Sequence, residues 1–280
     1  MKTKTKNLDA ENFYDKNQIL YNLFWSKNDI HYGLWEKDTK SLTEAVLNTN
    51  IAVSNYLQIT KKDKVLDAGC GTGGTSIFIA EKYGTKVTGI TLSDIQIEIA
   101  KQNALKSKAV NLVDFFKQDV TQTKFEDNSF SKIFGIESIC YVPNKIDFFN
   151  EAFRLMKKDG RIVIVDAFLI RTNLNRKEKR IYDIFLKGWA LPMLSTKDSF
   201  CNDLEKAGFK NIRFYDKRKA VKKSSGRIYI LGLIAYPFTL FLSSIKIVSK
   251  NMHGTAVSAI NQKKLLDKKI ITYGIFVAEK

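Results

Sequence analysis

The chain has 280 residues and carries 46 lysines and arginines against 29 aspartates and glutamates, a net charge of +17. That length buries a full core, as one large domain or one domain with a cap. Three scattered cysteines, Cys70, Cys140 and Cys201, without a C-x-x-C pair argue against a disulfide framework or a metal site and for a reducing, cytoplasmic setting.

The opening MKTKTKNLDAEN has no apolar run, so a secretory signal is not expected. Glu11–Lys27 places Phe13, Tyr14, Ile19, Leu20, Leu23 and Phe24 at roughly helical spacing, which predicts an N-terminal helix. An aromatic loop, Asp29–Trp35, follows. Ser41 or Thr43 can cap a helix running to about Leu57. Strands at Lys64–Ala68, Lys86–Ile90, Asn111–Lys117, Ser131–Ile136 and Arg161–Phe168 then alternate with helices at Gly73–Tyr83, Asp94–Ser107 and Lys145–Lys157. This alternation predicts an α/β fold, a Rossmann-like doubly wound sheet, mostly parallel, with helices on both faces.

After Phe168 the rhythm changes. A basic helix, Asn173–Trp189, a helix over Thr196–Gly208 and a strand, Phe209–Tyr215, are expected. About fifty helical residues precede a last strand, Ile270–Ala278, which is more than a connection needs and suits a substrate cap. The expected organisation is an N-terminal helical lid (1–60), a core (61–219), a helical cap (220–269) and a closing strand (270–280).

Charge follows the same division. Residues 1–153 balance at 19 of each sign, whereas 154–227 hold 20 basic to 8 acidic and 228–280 hold 7 to 2. Such asymmetry points to an anionic partner: a membrane surface, a substrate or nucleic acid. Within the basic half, Ile228–Ile245 is 18 residues without a charge, flanked by basic residues and interrupted by Pro237. A buried or interfacial helix pair bent at Pro237 is expected there rather than a membrane span.

The most informative stretch is Val65-Leu66-Asp67-Ala68-Gly69-Cys70-Gly71-Thr72-Gly73-Gly74. A short apolar strand enters a glycine turn and then a helix, whose free N–H groups face the turn. Asp67 adds a carboxylate, which suits a cationic ligand and sits badly beside a pyrophosphate. The combination fits S-adenosyl-L-methionine (SAM). In a doubly wound sheet the other strand ends converge on the same edge. They bring Thr91, Leu92 and Gln96, then Asp119 and Val120, then Glu137 and Tyr141. These supply partners for ribose hydroxyls and an adenine amine, with apolar walls for the ring.

The chain resembles class I SAM-dependent methyltransferases, in the branch holding γ-tocopherol, sterol and small natural-product enzymes. The resemblance covers most of the chain. It rests on His31-Tyr32-Gly33-Leu34-Trp35, on residues 65–74, 87–96, 119–145 and 155–168, and on Ile271–Ile275. It implies an antiparallel final strand. It also implies that Asp67, Gly69 and Gly71 surround the methionine and ribose of SAM, with Thr91, Leu92 and Gln96 at the ribose. Asp119 would hold the adenine amine, Glu137 would sit near the amino-acid tail or the reacting centre, and Tyr14 with the His31–Trp35 loop would fold over as a lid. Relatives often carry histidine at the place of Tyr141, and a tyrosine is the poorer base at neutral pH.

A sulfonium methyl is already activated, so alignment and desolvation are the main demands. If the acceptor loses a proton, His31, Glu137 and Tyr141 are the candidate catalytic groups, with His253 a weaker one. The apolar cap suits a lipophilic acceptor such as a prenylated ring, sterol or terpenoid, met at an anionic membrane surface. A cyclopropane-type lipid enzyme is the alternative. An RNA methyltransferase is disfavoured, because no base-flipping motif is present, and an intact glycine turn argues against a non-catalytic partner protein.

Overall fold

The computed structural model describes residues 31–245 and 250–280. Lys64–Ala68 (β1) and Lys86–Thr91 (β2) are buried at every position after the first. Continuous burial of this kind requires cover on both faces, which parallel strands obtain from crossover helices. β1 pairs in parallel with β2 and with Phe130–Ile136 (β4), and β2 carries Val113–Lys117 (β3) on its outer side. Met156–Leu169 (β5) runs parallel to β4. Ile271–Glu279 (β7) lies antiparallel between β5 and Lys210–Asp216 (β6). The sheet order is β3-β2-β1-β4-β5-β7-β6, the doubly wound arrangement with an antiparallel close that was expected.

The helices are Leu42–Leu57 (α1), Gly74–Tyr83 (α2), Asp94–Leu105 (α3), Lys145–Leu155 (α4), Arg176–Gly188 (α5), Lys197–Lys206 (α6), Lys222–Ser244 (α7) and Lys250–Asp267 (α8). Their starts follow cap chemistry. Ser41, Ser93 and Thr196 each accept a backbone N–H of the first turn, and Asn175 forms a reciprocal box with Glu178. The box moves the start of α5 to Arg176, three residues after the expected Asn173.

Alternation along the strands sorts two cores. Ile162 and Ile164 of β5 and Phe276 of β7 join Phe149, Phe200 and Phe209 on the α4–α6 side. Val163, Val165 and Tyr273 face the side of α1, α2, α3, α5 and α8. The helix expected over Lys145–Lys157 stops at Leu155, because β5 begins at Met156 opposite Phe130 and shifts register before Arg161.

Between β6 and β7 the chain forms α7 and α8. α8 packs on α7 and on α5. A side chain at Gly232 of α7 would meet Ala259 Cβ at 2.9 Å, so the two helices approach almost backbone to backbone. The helix pair expected around Pro237 is a single helix. One helix runs through this residue, whose ring lies on the exposed side, where a missing N–H removes one bond without dislodging the inner face.

Candidate active site

The turn after β1 is tied down from two sides. Gly69 and Cys70 both donate to Ile90 O at 2.9 Å, and Ser138 Oγ donates to Ala68 O at 2.5 Å. Gly69 has φ +99°, and a Cβ there would strike Ser138, so this glycine lets the ends of β1 and β4 meet. Gly71 has φ +53°, and a Cβ there would find no atom within 4 Å. One glycine is required by packing, the other opens onto free space. Gly73, the N-cap of α2, supplies no side-chain cap to the first N–H groups of the helix. Asp67 is 3 % exposed and accepts from Ser76 Oγ at 2.6 Å.

The neighbouring strand ends are more self-contained. Thr91 Oγ1 donates to Gln96 Oε1 at 2.9 Å, both residues being buried, and Leu92 beside them is half-buried. Ser93 serves α3 as its cap. Asp119 Oδ1 accepts the Thr121 N–H and hydroxyl at 2.9 and 2.7 Å, which commits one of its oxygens to a turn, and Val120 is half-buried next to it. Tyr14 and the Glu11–Lys27 helix lie outside the described residues.

Glu137, directly after β4, stands in a left-handed conformation at φ +50°. Such strain in a non-glycine residue persists where the surroundings over-determine it, commonly at functional sites. Its Oε1 accepts the Tyr32 N–H and the Tyr273 hydroxyl, each at 2.7 Å. Burial pushes its carboxyl up to about 7, against the nearby His31 and those two hydrogen bonds, with Asp166 adding to the rise. Burial also drives the Tyr273 hydroxyl well up, keeping it a donor.

Glu137 borders a cavity of about 110 Å³. Its lining includes polar residues, Tyr32, Asp166, Tyr273 and Gln262, and apolar ones, Phe185, Trp189, Leu191, Leu194 and Ile228. Tyr141 and Cys140, on the 3₁₀ turn Ile139–Tyr141, complete the lining. Asp166 accepts from Cys140 N at 2.8 Å, and buried Lys145 spends its ammonium on the carbonyls of Cys140 and Val142. Both contacts hold the turn that carries Tyr141. Gln262 of α8 is buried, and its amide nitrogen has no hydrogen-bond partner among the described residues.

His31 lies beside this cavity rather than among its lining residues. Its Nδ1 is 3.0 Å from Tyr32 O and its Nε2 is 3.1 Å from Asn50 Oδ1, which also accepts from Thr75 Oγ1. The ring thus links the N-terminal loop to α1 and α2. His253 is remote from Glu137's cavity: Nδ1 sits 3.1 Å from Thr239 Oγ1, joining α8 to α7.

The family model for mycolic acid cyclopropane synthetases matches residues 1–219. The chain belongs to that family. It is similar to 27-O-demethylrifamycin SV methyltransferase of Amycolatopsis mediterranei, 27 % identical over 70 % of this chain and 71 % of that one. It is also similar to the chloroplastic tocopherol O-methyltransferase of Arabidopsis thaliana, 27 % identical over 73 % and 63 % of the two chains. Among solved structures, the mycolic acid cyclopropane synthase CmaA1 complexed with SAH and CTAB shares the fold. The TM-score is 0.85 at 18 % identity, covering 98 % of each chain.

This family member is a SAM-dependent methyltransferase, and SAM is its cofactor. The residues fit the group. The open space before Gly71, the uncapped start of α2 and the carboxylate of Asp67 suit a zwitterionic amino-acid nucleoside bearing a sulfonium. The structure also adds residues that sequence reasoning did not single out: Asp166, Tyr273, Tyr32 and Gln262. Asp166 had a signal, a lone carboxylate in the apolar run Arg161–Phe168. Gln262 had none, since only the return of α8 onto the sheet brings it opposite Glu137.

Proposed function

We propose that this methyltransferase acts on a small lipophilic acceptor bearing a hydroxyl, with residues 220–269 as its cap and residues 1–60 as its lid. The acceptor's home is a membrane reached from the cytoplasm. The observation that carries the reading is the cavity beside Glu137, whose lining combines apolar side chains with groups that can bind a polar end. When bound, SAM supplies an electrophilic methyl group on sulfur.

The chain's own residues then have defined tasks. Phe185, Trp189 and Leu194 take up the apolar body of the acceptor and exclude water. Gln262 offers its unspent amide N–H to an acceptor oxygen, which would relieve the cost of a buried, unpaired donor. Glu137 accepts from Tyr32 and Tyr273 on Oε1, leaving Oε2 to take the proton that the hydroxyl loses. A carboxyl near neutrality is matched to that work.

A cyclopropane-type reaction is the second reading, favoured by the family that the chain belongs to. The absence of histidine at residues 138–141 counts against it, since resemblance to that group implies a histidine paired with Glu137 there. A screen of lipophilic phenols, amines and isoprenoids with trideuteromethyl SAM tests both. Methyl transfer keeps all three deuterons, whereas ring formation loses one. Lack of any modified lipophilic compound, with SAM binding intact, would sink both readings.

A further inference from the structure

Large apolar side chains exposed among the described residues concentrate on α7. Ile230, Leu233, Ile234, Phe238, Phe241 and, at its C-cap, Ile245 recur at the spacing of a single helical stripe. Phe238 is 65 % and Phe241 63 % exposed. Extended toward the start of the helix, the same stripe passes through Arg227 and Lys223, both exposed. A contiguous apolar face that ends in cations is matched to an interface where acyl chains meet anionic headgroups.

The opposite face is occupied. Ser224, Ser225, Ile228 and Gly232 are buried, Gly232 against Ala256 and Ala259 of α8, and Thr239 meets His253. Its length and a mean hydropathy of 1.4 over its most apolar 18 residues would allow a span, but α8 packs against its inner side, which favours a helix lying along a surface. A second copy of the chain is a poor occupant. Two such faces would bring Lys223 and Arg227 of each copy toward the basic half of the other.

We propose that α7 docks the enzyme on an anionic lipid bilayer. The Ile230–Ile245 face enters the acyl boundary, and Lys223 and Arg227 rest on headgroup phosphates. For its purpose this rests on the lipophilic-acceptor reading, because Ile228 on the inner side of the same helix lines the cavity. An acceptor leaving the bilayer therefore meets the cap at the helix that touches both.

Flotation of the full chain with vesicles of phosphatidylcholine, alone or mixed with phosphatidylglycerol, tests it. Binding is expected to the mixed vesicles and to weaken with salt. Each basic residue near an anionic surface strengthens partitioning about fivefold, so Lys223→Glu with Arg227→Glu should cut binding by more than about twentyfold. Ile234→Ser, Phe238→Ser and Phe241→Ser together should abolish it while SAM affinity by calorimetry stays unchanged. No flotation with either vesicle overturns the proposal. So does flotation indifferent to both sets of variants, or a dimer by light scattering that the triple variant dissolves. Intact flotation with no modified acceptor in the screen would leave the docking face standing and end the acceptor reading.

Discussion

Glu137 combines three unusual properties: left-handed backbone, a carboxyl near neutrality and two donors on one oxygen. Replacing it by glutamine keeps the size and can retain an oxygen facing Tyr32 N and Tyr273, but removes the base. Glu137→Gln should therefore lower kcat by about 10²–10⁴ while SAM affinity changes little. The pH profile gives a sharper readout than the rate. The base must be ionised, so wild-type kcat/KM should rise with pH through about 7, and the variant should lose that limb. Gly71 makes a contrasting case. A Cβ there meets only open space, so Gly71→Ala and the unbranched-at-Cβ Gly71→Leu differ mainly in how far they reach into the proposed cofactor space. Strain at φ +53° is common to both and costs about 1 kcal/mol. Calorimetry should show SAM affinity falling further for leucine than for alanine, with similar melting temperatures.

At the level of elements, the two cores divide stability from chemistry. Phe149 of α4 packs edge-to-face on Phe200 at 4.9 Å between ring centres, and Phe168 meets Phe200 at 5.0 Å, all on the face away from the Glu137 cavity. Phe149→Ala should cost about 3–5 kcal/mol in urea unfolding and leave KM for SAM unchanged below the transition. The parallel strands and their helices were legible because burial on both faces produces apolar runs of strand length, and caps such as Ser41 and Thr196 mark helix starts. The antiparallel direction of β7 has no periodic signal and was read only through resemblance, and its place between β5 and β6 was not read at all. α7 misled for a definite reason. Proline predicts a division into two helices, but Pro237 is exposed while the inner line of the helix stays on α8, and one helix runs through. The glycine turn was legible as local chemistry. The cavity was not, since Tyr32, Asp166, Gln262 and Tyr273 lie on four separate elements joined only by folding. The Ser131 hydroxyl donates to Asp63 Oδ1 at 2.7 Å, tying the loop before β1 to β4.

For the whole molecule, stability and activity should respond to pH in opposite directions. The folded chain holds the Glu137 proton up to about 7, whereas an unfolded chain releases it near 4.5. Between those values the native state binds more protons, so stability is fully present below the lower value and is lost as pH rises through the upper one. Burial pushes Asp166 up as well, with the same sign. Two partly buried carboxyls oppose them. Burial would raise both Asp63 and Glu151, but hydrogen bonds from Ser131 and Thr60 outweigh it at Asp63, and Arg154 and Thr123 do so at Glu151. Their folded values lie below the usual carboxylate range, so the stability they contribute is lost only in strong acid. Unfolding free energy should therefore peak in the weakly acidic range and decline toward pH 8, where catalysis is strongest. Urea titrations across that interval should show the decline shrinking by about 1–3 kcal/mol in Glu137→Gln. A decline of equal size in the variant would place the excess proton elsewhere, and would remove Glu137 as the group that exchanges stability for a base.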